Sequence, residues 1–218
     1  DAGEGGTTFR FLCALAATRG APTVIRAADR LLERPHGPLF RALEEGGARL
    51  DEVECSGPAT GTGKSKGIRV EPWESWPEEL SVGAVSSSQY ASALALLAAT
   101  GQPLELRLEE GTRMPSAPYF EMTLDLLRRS GVSCAEKPCE GTERIVSLRP
   151  TVRLEEPVTL GLAPDASSRA VWKVGELVGV GGAVGASDRE ETRARTLQPD
   201  TEVDDIVERL ARATDSSR

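Results

Sequence analysis

Apolar and polar positions along this chain follow two periods, one typical of amphipathic helices and one typical of half-buried strands. The helical period predicts helices over residues 6–17, 39–45, 91–99 and 119–129. Strand-like segments lie between and after these helices, at 23–25, 48–50, 68–72, 104–108 and 132–134. Residues 91–99 have almost no polar face, so we expect that helix to be buried on all sides.

The same order of elements recurs at a spacing of about eighty residues. Small hydroxyl residues suited to N-caps open helices near 6–8, 86–88 and 165–168. A proline stands ahead of the second helix of each unit, where its missing N–H costs nothing. The recurrence predicts an α/β (α+β) protein of repeated βαβαββ-type units packed around buried helices.

Composition limits the classes of function that this chain can have. It contains 218 residues, with 34 acidic against 26 basic side chains and a formal net charge of −8. An acidic balance argues against a general nucleic-acid-binding protein, whose surface would be basic. No apolar run approaches the roughly 20 residues of a membrane span, and the acidic first residues do not resemble a signal peptide. We therefore expect a cytoplasmic protein without nucleic-acid or membrane partners.

Several residues that resemble parts of functional motifs are predicted to have no catalytic or binding role. Residues 63–65 resemble the end of a phosphate-binding loop, but a strand follows them, so 56–66 are predicted to be a linker between two strands. His36, the single histidine, is expected on the surface, which excludes a Ser-His-Asp triad. The cysteines lack the spacing of a metal or redox site and predict free thiols, with Cys13 buried.

Three polar clusters are candidates for ligand binding. A glycine-rich turn at residues 3–6 leads into the first helix, whose N–H groups and dipole favour an anion, with a plain turn as the alternative. Arg26, Arg30 and Arg34 fall in a predicted strand-to-helix loop and suit carboxylate or phosphate recognition, or else form surface ion pairs. Residues 86–89 hold three serines and a glutamine, more polar groups than a helix cap requires, which favours a ligand surface.

Five short motifs occur in an order that resembles one enzyme family. They are Gly6-Thr7-Thr8-Phe9-Arg10, Asp29-Arg30-Leu31-Leu32-Glu33-Arg34-Pro35, Val85-Ser86-Ser87-Ser88-Gln89-Tyr90, Ser116-Ala117-Pro118-Tyr119 and Asp165-Ala166-Ser167-Ser168. Together they resemble the EPSP synthase (3-phosphoshikimate 1-carboxyvinyltransferase) family, over nearly the whole chain. The resemblance implies two lobes of repeated units and no metal or organic cofactor. It also implies transfer of an enolpyruvyl group from phosphoenolpyruvate to the 5-hydroxyl of shikimate 3-phosphate.

Site residues follow from the resemblance by position. The shikimate 3-phosphate contacts it implies are Ser87, Ser88, Gln89, Ser116 and Tyr119. The phosphoenolpyruvate contacts it implies are Gly6, Arg34 and Gln89, so that Gln89 reaches both substrates. Gly6 also corresponds to the kind of position where glyphosate resistance arises. Arg10 and Arg30 match family arginines, and we expect their roles to be mostly structural.

The chain also departs from the family pattern. Glu4 stands where the family often has Asn, and Ala117 replaces a common Lys or Arg. The family's N-terminal Lys-Ser motif and its general-base Asp with a Glu partner have no match here, so no catalytic residue is assigned. We expect 1–164 to be a partial lobe with two units and 165–218 to begin the second lobe, in a chain incomplete for catalysis. The alternatives are a UDP-N-acetylglucosamine enolpyruvyl transferase and a non-catalytic binding module on the same fold.

Overall fold

Two successive α/β units of the same design follow one another along the chain. The computed structural model describes residues 1–56, 64–83, 87–109, 114, 116–138 and 143–151, all within a compact unit formed by Asp1–Glu156. The predicted third unit lies outside the described residues, as does all of Pro157–Arg218. The division of the chain after residue 164 therefore stays a prediction.

The first unit contains three helices and a three-stranded antiparallel sheet. Its elements are α1 (Gly6–Ala17), β1 (Thr23–Ala27), the short α2 (Asp29–Leu32), α3 (Gly37–Glu45), β2 (Arg49–Ser56) and β3 (Lys64–Glu71). The strand order is β1-β3-β2, and β3 pairs antiparallel with both neighbours. β1 and β2 are therefore parallel to each other, and α2 and α3 form the crossover between them.

The second unit repeats this arrangement and adds one strand. Its elements are β4 (Glu79–Val82), α4 (Ser88–Ala95), a 3-10 turn (Leu96–Thr100), β5 (Leu104–Leu108), α5 (Ala117–Arg129), β6 (Val132–Lys137) and β7 (Arg144–Pro150). β4 pairs parallel with β5, while β7 lies between β5 and β6 and is antiparallel to both. The order β5-β7-β6 thus repeats β1-β3-β2, and the predicted βαβαββ unit is confirmed.

The core forms where α1 and α4 pack against each other and against the two sheets. Every residue of α4 except Gln89 is buried, as the apolar pattern predicted for this helix. α1 buries Phe9 and Cys13 completely and turns Leu15 outward. In β5 the leucines are buried and Glu105 and Arg107 lie between them, the alternation expected of a strand with one apolar face.

The structure corrects several of the predicted boundaries. The helix predicted over 91–99 begins at Ser88 and tightens into the 3-10 turn at Leu96. β4 has only four residues, too few for its alternation to be recognised in the sequence. The predicted 56–66 linker is wrong at both ends, because Ser56 belongs to β2 and residues 64–66 belong to β3, which pair as far as Ser56 and Lys64. That pairing confirms that Lys64 does not begin a phosphate-binding helix.

The cysteines of the described residues behave as the sequence predicted. Cys13, Cys55 and Cys134 are free thiols, and Cys139 lies outside the described residues. Burial raises the pKa of the Cys13 thiol to about 12, so this side chain acts as a core residue. In the described part of the chain, no helix is both long and apolar enough to cross a membrane.

Shortening a buried side chain of α4 tests how much this helix contributes to stability. Leu94 is fully buried, so Leu94→Ala should lower the free energy of unfolding by about 2–5 kcal/mol through lost burial and a cavity. Urea denaturation followed by circular dichroism measures this change. The matched control is Leu15→Ala in α1, since Leu15 is 41% exposed. Equal losses for the two variants would contradict the central position of α4.

Candidate functional site

Two of the predicted site segments, residues 87–89 and 116–119, lie at the N-terminal ends of neighbouring helices at one edge of the second sheet. β4 and β5 are parallel, and α4 and α5 each begin after one of these strands ends. Crossover helices return against the strand direction, so both helices begin at the edge where β4 and β5 end. Residues 87–89 and 116–119 therefore lie at the same edge of the sheet.

A side-chain hydrogen bond joins the two helices inside the fold. The Thr123 hydroxyl donates to the backbone oxygen of Tyr119 at 3.0 Å, so Ser92 is the donor in the 2.8 Å bond between the Ser92 and Thr123 hydroxyls. Ser92 is buried, and this bond satisfies its hydroxyl in an otherwise apolar helix. The contact joins the second turn of α5 to α4.

The two helix starts differ in their local geometry. Ser87 is the N-cap of α4, and its hydroxyl accepts a 3.3 Å hydrogen bond from the backbone N–H of Gln89. Ser116 occupies the N-cap position of α5 with a φ of 57°, a left-handed conformation that is uncommon outside glycine. Its side chain makes no capping bond and is exposed. Ser87 is thus a true cap, whereas the conformation of Ser116 is not explained by capping.

The start of α1 lies against two arginine side chains. Gly6 is the first residue of α1, and a methyl group placed on it would lie 3.1 Å from Nη1 of Arg34. The same position is 3.6 Å from Nη1 of Arg10. The first backbone N–H groups of a helix have no intrahelical partner, and the helix dipole adds partial positive charge there. Both guanidinium groups and the helix terminus thus favour an anion at Gly6.

Arg10 connects this helix start with α4. Its Nη1 donates to Oε1 of Gln89, and its Nη2 donates to the backbone oxygen of Pro35 at 3.5 Å. The guanidinium carbon lies 5.1 Å from the centre of the Tyr90 ring, whose hydroxyl donates to the same Pro35 oxygen. Arg10 is 7% exposed, so a full positive charge is nearly removed from water at this junction.

Neither Arg10 nor Arg34 forms an ion pair with a carboxylate of the described residues. Other arginines of the fold do so, for example Arg107 with Glu79 at 3.0 Å. The alternative of surface ion pairs is therefore wrong for Arg34 within this part of the chain. Two guanidinium groups that have no counter-ion among the described residues make the Gly6 end of α1 a suitable place for an anionic ligand.

The other two predicted arginines lie on separate elements. Arg26 belongs to β1 and Arg30 to α2, so the predicted strand-to-helix loop is wrong where α2 forms. Asp29 favours this short helix because a carboxylate in the first turn interacts well with the helix dipole. Pro35 then restricts Arg34, and the chain leaves the helix before it. Of the three, Arg34 supplies the atom nearest to the Gly6 Cβ position, its Nη1 at 3.1 Å.

His36 is buried, so the prediction of a surface histidine is wrong. Its Nε2 lies 2.8 Å from the backbone oxygen of Leu31 and donates to it. The imidazole packs 4.8 Å from the Phe9 ring and 5.6 Å from the Phe40 ring, measured between centroids. Burial lowers the pKa of His36, and the nearby charges of Arg10 and Arg34 act in the same direction. His36 is thus a neutral packing residue behind the arginines.

The single histidine makes its protonation state directly measurable. We expect the Hε1 resonance of His36 to titrate below pH 6.5, and the urea-unfolded chain supplies the reference midpoint. Because the folded pKa is the lower one, protons bind the unfolded chain more tightly. The contribution of His36 to stability is therefore lost as the pH falls below about 6.5. A midpoint in the folded chain at or above that of the unfolded chain would contradict the buried, neutral state.

Comparison with known proteins decides the family. The sequence model of EPSP synthase (3-phosphoshikimate 1-carboxyvinyltransferase) matches residues 1–212. The chain belongs to the EPSP synthase family. A 3-phosphoshikimate 1-carboxyvinyltransferase of Thermococcus kodakarensis is 42% identical over 130 residues, which are 59% of this chain and 28% of that protein. One from Bordetella petrii is 33% identical over 174 residues, 78% of this chain and 36% of that protein.

The fold agrees with a solved member of the EPSP synthase family. The structure of EPSP synthase from Acinetobacter baumannii aligns with a TM-score of 0.54 at 19% identity, over 81% of this chain and 35% of that one. This likeness concerns the fold alone. The chain spans about a third of the length of the relatives that it matches.

The structure brings some of the predicted site residues together and leaves others on a neighbouring element. Gly6, Arg34 and Gln89 are connected through Arg10, and Ser87 and Ser88 adjoin Gln89 in the chain. Ser116 and Tyr119 lie on α5, at the same sheet edge. The contacts of Arg10 with Gln89 and Pro35 were not predicted from the sequence. The available signal was a single arginine within the apolar run of α1, where a charged side chain is costly unless it has partners.

Proposed function

We propose that this chain provides substrate contacts of an enzyme that transfers an enolpyruvyl group to shikimate 3-phosphate. In this reaction the 5-hydroxyl oxygen of shikimate 3-phosphate bonds to C2 of phosphoenolpyruvate, while C3 accepts a proton. The tetrahedral intermediate then gives up a proton from C3 and loses phosphate from C2, which restores the double bond and leaves the enol ether. The proposal includes the roles that the family resemblance implies for the individual residues.

The observation that carries this proposal is the pair of guanidinium groups at the start of α1. Arg10 and Arg34 both lie within 4 Å of the Gly6 Cβ position. Phosphoenolpyruvate and shikimate 3-phosphate are both anions and repel each other, so their site must supply positive charge. Arg34 is exposed and suits the carboxylate or phosphate of phosphoenolpyruvate, which a guanidinium binds with two parallel hydrogen bonds.

The shikimate 3-phosphate side of the site is assigned to the starts of α4 and α5. Ser87, Ser88 and Gln89 open α4, and a phosphate near them gains from the helix N-terminus. Ser116 is exposed in an unusual backbone conformation, which is a feature that accumulates at ligand sites. Tyr119 is 37% exposed and would present its ring to the substrate ring. Gln89 would contact both substrates.

The catalytic groups for the proton transfers would have to come from other parts of the enzyme. No catalytic residue is assigned here, so the proton transfers would depend on a second lobe. A cytoplasmic location and the role of glyphosate target belong to the same proposal. The UDP-N-acetylglucosamine alternative is disfavoured because the matched relatives are 3-phosphoshikimate enzymes. A non-catalytic module on this fold remains the other outcome of the experiments below.

Calorimetric titration tests the shikimate 3-phosphate assignment. We expect weak binding to this chain, and Gln89→Ala should weaken it by about 1.5–3 kcal/mol, the usual value of a hydrogen bond to a charged group. Gln102→Ala is the matched control, because Gln102 is exposed and distant in sequence from the helix starts. UDP-N-acetylglucosamine should give no heat. Heat that Gln89→Ala leaves unchanged would overturn the site assignment.

The substitution Gly6→Ala should weaken substrate binding without lowering the stability of the fold. Gly6→Ala would place Cβ 3.1 Å from Nη1 of Arg34, so the guanidinium has to move by a few tenths of an ångström. Phosphoenolpyruvate binding should fall, while Tm should hold or rise, because Ala favours a helix over Gly by up to about 1 kcal/mol. Gly20→Ala is the control, since nothing lies within 4 Å of its Cβ position. Unchanged phosphoenolpyruvate binding in Gly6→Ala would count against this subsite.

A further inference from the structure

Arg10 is a buried cation whose partners within the described part of the chain are all neutral. It is 7% exposed, and its Nε is buried without a hydrogen-bond partner in the described structure. Its guanidinium meets the Gln89 side chain, the Pro35 carbonyl and the face of the Tyr90 ring. An arginine kept only for stability would be expected to have a carboxylate beside it, because an uncompensated buried charge is costly. The position therefore calls for a role beyond packing.

The chemistry of the guanidinium group fixes the orientation of the Gln89 amide. Arginine has donors and no acceptor, so the Gln89 atom that faces Arg10 has to be Oε1. The Nε2 group then points away from Arg10 with both of its N–H donors uncommitted to this contact. Without Arg10, the amide could rotate and present oxygen instead, which would repel a phosphate or carboxylate.

The same guanidinium links the helix starts that hold the two proposed subsites. It lies beside Gly6, where a Cβ would be 3.6 Å from its Nη1. Through the Pro35 oxygen it also restrains the residue that follows Arg34, and the Tyr90 hydroxyl shares that oxygen. Arg10 thus lies beside Gly6, in the proposed phosphoenolpyruvate subsite, and also forms a hydrogen bond with Gln89.

We propose that Arg10 is a positioning residue, whose guanidinium holds the Gln89 amide so that its Nε2–H donors face the substrates. This inference rests on the proposed function for the identity of the substrates. Arg10 itself would touch neither substrate. This role goes beyond the mostly structural one that the sequence predicts for Arg10.

The rigidity of the Gln89 side chain tests the positioning without any ligand. In the full chain labelled with ¹⁵N, the Gln89 side-chain NH₂ should show a large positive heteronuclear NOE, typical of an ordered group. The exposed Gln102 in the same sample is the mobile reference, and Gln→Ala variants assign the signals. Arg10→Met should make the Gln89 signal as mobile as that of Gln102. A mobile Gln89 amide in the wild-type chain would overturn the proposal, even if Arg10→Met failed to fold.

A double-mutant cycle on shikimate 3-phosphate affinity tests the coupling. Arg10→Met and Gln89→Ala should each weaken binding about tenfold, and the double variant should be at most about twofold weaker than Arg10→Met. Arg19→Met is the control for the lost charge, because Arg19 is exposed beyond the C-terminal end of α1, opposite to Gly6, and should leave affinity unchanged. Multiplied losses of about a hundredfold would show that Arg10 acts independently of Gln89. If the wild-type chain binds no shikimate 3-phosphate, the proposed function fails and the NMR measurement still decides the positioning.

Discussion

The complete burial of α4 is the constraint on which the rest of the structure depends. Seven of its eight residues are buried, and the exception is Gln89 in the first turn. A helix enclosed on all sides can meet a ligand only at its ends, so its polar residues are confined to the start. α1 packs against it and likewise reaches the site through its first residues. The fold therefore leaves the N-termini of α1 and α4 as the places where these helices can meet a ligand, and N–H groups and the dipole attract anions there.

Arg10 is a buried charge at the junction of α1 and α4, and its burial is energetically costly. Removing a charge from water costs several kcal/mol unless hydrogen bonds and counter-charges compensate it. Here one amide oxygen, one backbone oxygen and one aromatic face compensate part of that cost, and no described carboxylate contributes. An anionic substrate would complete the compensation when it binds. The chain as a whole carries a net charge of −8, so local placement of arginines matters more here than total charge.

The periodic elements could be predicted from the sequence, whereas the environment of single polar side chains could not. The apolar run in α4 and the alternation in β5 are local signals. β5 has its predicted bounds, whereas α4 begins three residues before the apolar run and changes to a 3-10 turn at Leu96. His36 was predicted on the surface because its neighbours in sequence, Pro35 and Gly37, do not reveal the rings of Phe9 and Phe40 that enclose it. Arg10 meets a partner 79 residues away, and no local pattern encodes that contact. The roles given to the site residues came from the family resemblance, and they stay predictions.

The starts of α1, α4 and α5 are proposed to bind one pair of anionic substrates. Mapping amide chemical shifts during a titration tests this proposal most directly. Shikimate 3-phosphate should shift the backbone resonances of Ser88, Gln89 and Ser116, and phosphoenolpyruvate should shift those of Gly6 and Arg34. Strands such as β2 should stay unchanged as an internal reference. Shifts confined to other surfaces, or their absence at millimolar substrate with a folded spectrum, would contradict the proposed site.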